Sequence, residues 1–157
     1  GAPTEITVSG FRFYGFFQYD TARKVTKTTI KCRIYKAGAD SLPTGSPLAT
    51  TVIQIDTIQG ALYLSRMTRN IVFPSPVACN FPYIITVESD STNSRPGIVS
   101  NSWSNGDGDY RNLAVGSVSG KWYRCLQLNI GGISFNAHMQ LYPFVKYKFG
   151  TDFTPNF

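Results

Sequence analysis

The chain has 157 residues, of which 42% are hydrophobic, 14% aromatic and only 15% charged. That is one domain's worth of sequence, enough to bury about two thirds of its unfolded surface and too little for a second independent core. Fifteen basic and nine acidic residues give a net charge of +6. The excess is local, in Arg12, Arg23, Lys24, Lys27, Lys31, Arg33 and Lys36, with Asp20 the only acid among them. Helix formers are scarce. Thr, Ser, Asn, Gly and Tyr take their place, a balance that suits a β-rich extracellular protein.

Residues 1–19 form an aromatic segment that packs in cis or on a neighbouring subunit. Within it, Ile6 to Val8 and Phe11 to Phe17 are two apolar runs joined by Ser9-Gly10, and Gly15 breaks the alternation, which predicts a bulge centred there. From Val25 to Tyr35 the alternation is clean. Thr28, Ile30, Cys32 and Ile34 point one way, while Lys27, Thr29, Lys31, Arg33 and Tyr35 point to water. Residues 37–47 read as a loop because of Gly38, Pro43, Gly45 and Pro47, and Ala49 to Ile55 alternates again.

Residues 57–70 fit either a helical turn or a strand, and strand is chosen because its neighbours are strands. Phe81, Tyr83, Ile85 and Val87 share one face of a core strand, after which a polar stretch ending in Pro96-Gly97 turns the chain back to lay Ile98 to Trp103 beside it. Further strands are predicted over residues 113–118, 121–130 and 139–149. In the last of these Pro143 argues for an edge position or a bulge. Eight or nine strands without a helix predict an all-β fold, a single antiparallel β-sandwich of jelly-roll or Greek-key type.

The three cysteines, Cys32, Cys79 and Cys125, allow at most one internal disulfide. Cys32, between Ile30 and Ile34, reads as a small core hydrophobe. No membrane-length apolar run or signal peptide is present, and Gly1-Ala2-Pro3 reads as a processed end or a cloning remnant. His138 is the single histidine and has no nucleophile or metal motif around it, and no pair of carboxylates stands out for acid–base work. An enzyme is therefore not expected.

Asn105, Asp107 and Asp109 alternate with glycines like the first half of a calcium loop. Gly116 stands where the completing acid would be, and a plain turn explains the same residues. Calcium is the one cofactor the pattern admits. Trp103, Tyr110, Trp122 and Tyr123 flank this turn and are candidates for a sugar-binding surface, since a pyranose stacks its apolar face on such rings. Large aromatics in such a fold are more often core. Lys27, Lys31 and Arg33 are the candidate contacts for nucleic acid or another acidic polymer, and this is the weakest reading because charge runs are commonly solvated strand faces.

Ile34-Tyr35-Lys36, Leu42 to Ala49, Val72 to Val77, Asn105 to Gly108 with Leu113-Ala114 and Trp122, and Pro143-Phe144-Val145 together resemble secreted β-sandwich domains of Bacteroidetes surface proteins, which often accompany type IX secretion sorting signals. The resemblance spans most of residues 25–147 and rests on strand-and-turn patterns. It implies export to the bacterial cell surface and a role in adhesion, matrix or polysaccharide handling, with no catalytic set to transfer. The expectation is thus a non-catalytic structural or adhesive protein, forming a homo-oligomer or polymer through strand edges, with Phe11, Phe13, Phe16 and Phe17 as assembly residues. The alternative is a carbohydrate-binding module assisted by calcium. Membrane insertion is not expected.

Overall fold

Proline cannot donate to a sheet ladder, so the proline-free runs at residues 5–18 and 27–37 are the natural centres of sheets, and the proline-bearing runs belong outside them. The computed structural model has this arrangement. It describes residues 3–18, 27–56, 65–89, 95–98, 115–125, 129–130, 133–134 and 139–150. Eleven strands lie within them: β1 (Glu5–Gln18), β2 (Lys27–Ala37), β3 (Pro43–Asp56), β4 (Ser65–Ala78), β5 (Tyr83–Ser89), β6 (Arg95–Ile98), β7 (Val115–Val118), β8 (Lys121–Arg124), β9 (Asn129–Ile130), β10 (Ile133–Ser134) and β11 (Leu141–Lys148). All pairings are antiparallel, and no helix occurs among the described residues. The all-β expectation is met.

One sheet runs β11-β1-β4, and another runs β3-β2-β5. Strand β4 takes one side of β1 from Thr7 to Phe17, while β11 covers Glu5 to Phe13 on the other side and β6 continues that side from Gly15 to Gln18. Both edges of β1 are therefore filled by its own chain. The two sheets feed one buried cluster, with Val8, Phe11, Phe13, Ile71 and Phe73 from the first, Ile30, Cys32 and Ile34 from the second, and Cys79 beside them. Phe11 is the hub of the aromatic part, its ring centroid 6.2 Å from Phe13 and 6.0 Å from Phe73. Each such ring contributes about 1.5–3 kcal/mol by leaving water. Where β3 and β4 meet, the Thr51 hydroxyl donates to the Val72 carbonyl at 2.8 Å.

Val8 and Phe11 are three residues apart, yet both are fully buried. Strict alternation would put them on opposite faces, so the chain must slip by one residue between them. The register does shift there, between Val8 and Gly10. This overturns the bulge expected at Gly15: the interruption lies at Ser9-Gly10, and β1 is a single strand through both apolar runs. Opposite the slip, β4 passes from Val72 to Val77 against two residues of β1, and the intervening Phe73-Pro74-Ser75-Pro76 carries two residues without an N–H. Gly10 is held tightly at this point, for a Cβ on it would lie 2.0 Å from the Ile71 carbonyl oxygen.

Other expectations need correction. Phe11 and Phe13 are core residues of their own chain and not an assembly surface, because β1 is central and both side chains face the cluster. Phe16 and Phe17 lie on the same strand, with their backbones paired to β4 and β6. Pro96 and Gly97, expected in a turn, lie instead in β6, which pairs with β1, and residues 99–103 of the expected returning strand lie outside the described residues. Pro43 to Pro47 belongs to β3 and not to a loop, since among the described residues β3 forms a ladder with β2 alone and a register shift there lets Gly45 take a positive φ of 70°. Strand β9 falls at the end of the strand expected over 121–130, whereas β10 escaped notice because a two-residue run has no period to read.

The Gly10 contact generates a test. Gly10→Ala should destabilise the fold by about 3 kcal/mol, the upper part of the range for overpacking, because the obstructing atom is backbone. Urea unfolding reads this directly, and an unchanged midpoint would mean the slip does not require glycine.

Candidate functional site

The outward face of β2 was expected to be wet, but it is covered. Arg33, Tyr35, Thr86 and Glu88 stand on neighbouring strands, with Arg33 opposite Thr86 in the β2–β5 register. Arg33 Nη1 donates to Glu88 Oε2 at 2.5 Å, and the ion pair is about three-quarters buried, with side-chain exposures of 24% and 22%. Glu88 Oε1 accepts from the Tyr35 hydroxyl at 3.1 Å and from the Thr86 hydroxyl at 2.6 Å. Tyr35 in turn accepts a long bond from Arg33 at 3.4 Å. The carboxylate is thus met by three different side chains, while Arg33 Nε is buried without a hydrogen-bond partner.

Burial pulls the Arg33 guanidinium down, but its bonds to Tyr35 and Glu88 outweigh that and its net shift is upward. Burial pushes the Tyr35 phenol up, against the pull of Arg33. The cation stays charged and the phenol stays neutral, which suits a fixed donor array and not a proton relay.

The β7–β8 hairpin lies over this network. Ser119 and Gly120, both at positive φ (52° and 77°), make the tight turn that the right-handed twist of paired strands favours. Trp122 meets Tyr35 edge to face with centroids 6.1 Å apart, and Arg124 clamps the Asp40 carbonyl with bonds of 3.0 and 2.8 Å from Nε and Nη2. Trp122 and Tyr123 are both half-buried, and Lys121 Nζ lies 5.4 Å from the Tyr123 ring. Trp122 is therefore partly engaged in packing on Tyr35. Of the other sugar and calcium candidates, Trp103, Tyr110, Asn105, Asp107 and Asp109 lie outside the described residues, as does His138.

The early cations are likewise partly committed, with Arg33 tied to Glu88 and Lys36 Nζ 5.4 Å from the Phe81 ring. Sequence reasoning saw Arg33 and Tyr35 as solvent-facing and missed Thr86 and Glu88 as their partners. The available signal was that Thr86 and Glu88 alternate with Ile85 and Val87, and so must share the opposite face.

A hollow of ≈ 630 Å³ lies between the start of β1 and the β4–β5 connection, lined by Pro3, Thr4, Ile6, Cys79, Asn80 and Phe81 through Tyr83. Its amide is already used, since Asn80 Oδ1 accepts from the Ile6 N–H at 3.1 Å. Its thiol, Cys79, is pushed up by burial, which leaves it a poor nucleophile. Cys32 and Cys125 are also buried and free, and Cys32 is raised to about 12, chiefly by burial and then by Glu88.

Comparison of the chain with protein-family models, curated proteins and solved structures returned no match.

Two outcomes follow from this geometry. Glu88→Ala should cost about 2 kcal/mol, because it strands a charged donor, while Glu88→Gln should cost less; equal midpoints for all three proteins would make the network ornamental. The raised thiols and phenols act together with pH. Each stays protonated in the native chain above the pH at which the unfolded chain ionises, so their stabilisation is complete below the ordinary thiol value of about 8.5 and is lost as pH rises toward the native values. Urea midpoints should therefore fall from pH 8.5 to 10.5, with a shallower fall in Cys32→Ala. A flat profile would contradict it.

Proposed function

We propose that this chain is a non-catalytic adhesive module of an extracellular bacterial surface, folded as a two-sheet sandwich of jelly-roll or Greek-key type, in keeping with the secreted Bacteroidetes domains its sequence resembles. The observation that carries this reading is the exposure of large aromatic side chains on β11 and the residue just after it, Tyr142 on the outer face and Tyr147 and Phe149 on the other: Tyr142 is 51% exposed, Tyr147 53% and Phe149 60%. Large apolar side chains held in water on a rigid sheet are what an interaction surface presents. A binding role over a reactive one is supported by the two places where chemistry would be sought. Glu88 is engaged by three donors, and Cys79 in the hollow is held protonated.

Association through strand edges, the route expected from sequence, meets an obstacle at β11. The carbonyls of Lys148 and Gln140 both point at β1, where they accept from Thr4 and Tyr14. Backbone polar groups alternate sides along a strand, so the even-numbered residues of β11 serve β1 and the odd-numbered ones face away. Pro143 therefore sits where a docking strand would need its N–H, and Lys146 and Lys148 add charge beside it. Proline and lysine are the usual guards of an edge. With this edge guarded, the faces of the sheets are the surfaces favoured for binding to other molecules.

Retention on polysaccharide and cell-wall matrices without release of new reducing ends is the expected result. Absence of retention on every matrix, or steady release of reducing ends, would overturn the reading. Light scattering at micromolar concentration should give a monomer for the native chain and larger species for Pro143→Val, which restores the missing donor. A polymer from the native chain would reinstate edge assembly.

A further inference from the structure

The outward face of the β11-β1-β4 sheet is distinct from the network under Trp122. Its rows follow from the register: Tyr142, Arg12 and Asn70 stand abreast on the three strands, and Phe144, Gly10 and Val72 stand abreast in the next row. Tyr14, one step along β1 on the same face, meets the Tyr142 ring edge-on with centroids 5.8 Å apart. Arg12 Nε donates to Asn70 Oδ1 at 2.8 Å, which fixes the plane of an exposed guanidinium and leaves its two terminal nitrogens as the edge a ligand can meet. Gly10 lacks a side chain between half-buried Phe144 and exposed Val72, and the backbone of Ile71 and Val72 closes over the place a Cβ would take, so that row is low at its middle strand.

Charge decides what chemistry fits. Lys146 and Lys148 join Arg12 on this face, and the acid among them, Glu5, is taken up by Lys148 at 3.6 Å. A planar guanidinium fork pairs bidentately with a carboxylate, and an exposed tyrosine ring stacks on the apolar face of a sugar. From the Tyr142 row to the Lys146 row the strand runs about 13 Å, a span for an oligosaccharide and not a single ring. We propose that this face, built on Arg12, Asn70, Tyr14 and Tyr142 with Lys146 beyond them, binds an acidic polysaccharide through its uronate carboxylates. The inference rests on the adhesive reading and names the face and ligand class that would carry it.

The probe is polygalacturonate, compared by calorimetry with its fully methyl-esterified form, which keeps the rings and loses the charge, and with polyphosphate, which has charge and no rings. The native chain should bind polygalacturonate, with affinity falling as salt is added, at least tenfold more tightly than either comparator. Arg12→Gln and Tyr142→Ala should each lower the affinity about tenfold. Both side chains are exposed, so both variants should keep the native urea midpoint, which is measured alongside. Failure to bind polygalacturonate, or equal affinity for polyphosphate, overturns the proposal. Binding that survives both substitutions places the contact elsewhere and overturns this face alone, leaving the adhesive reading intact. A dimer of the native chain that Tyr142→Ala abolishes gives the face to a second copy and likewise overturns the proposal.

Discussion

Strand β1 delivers three side chains to the core, Val8 on one side of a slip and Phe11 with Phe13 on the other, and the slip at Ser9-Gly10 is what allows all three to arrive. Much else depends on that slip. It puts Gly10 against the Ile71 carbonyl, it faces the widened stretch of β4 that accommodates Pro74 and Pro76, and it turns Arg12 and Tyr14 to the outer face of the sheet. Without it, either Val8 or the phenylalanine pair would point to water, with the loss of several kilocalories per mole of burial. The aromatic hub and the outer face that carries Arg12 and Tyr14 are two sides of the same local event.

Burial of polar groups follows a similar economy on the second sheet. Arg33 and Glu88 are taken largely out of water, which is costly for isolated charges, and the cost is offset because Tyr35 and Thr86 supply further bonds to the carboxylate. The β7–β8 hairpin then closes over the network through Trp122 and Arg124. The result fixes the register of β5 on β2 through side chains as well as through the backbone. A residue such as Glu88, already engaged by three donors, is better suited to holding strands together than to reacting.

Much of the fold was legible in the sequence, because a period of two is a strong signal where one face is buried. Ile30, Cys32 and Ile34 were read as inward and are fully buried; Tyr83, Ile85 and Val87 were read as one face and pack on the core together. Pro143 was read as marking an edge or bulge, and β11 is the end strand of its sheet among the described residues. What stayed hidden was partnership. Alternation says that Arg33 and Tyr35 leave the core, but it does not say that a later hairpin will cover them. It says that Phe11 and Phe13 need an apolar partner, and it is silent on whether that partner comes from the same chain. The outer-face cluster was hidden for the same reason, since Arg12, Asn70 and Tyr142 are 58 and 72 residues apart in sequence and meet only through register.

The clasp at the start of β1 carries a mechanical meaning. The Thr4 N–H and hydroxyl both donate to the Lys148 carbonyl, at 2.8 and 3.0 Å, and Glu5 stands opposite Lys148 at the head of the β1–β11 ladder. Tension applied through residues 3 and 150 would load the two strands at the same end and across their length, so the ladder would peel one rung at a time instead of shearing as a block. A ladder built this way yields early and gradually under load, letting β11 lift away while the β2-centred sheet keeps its shape.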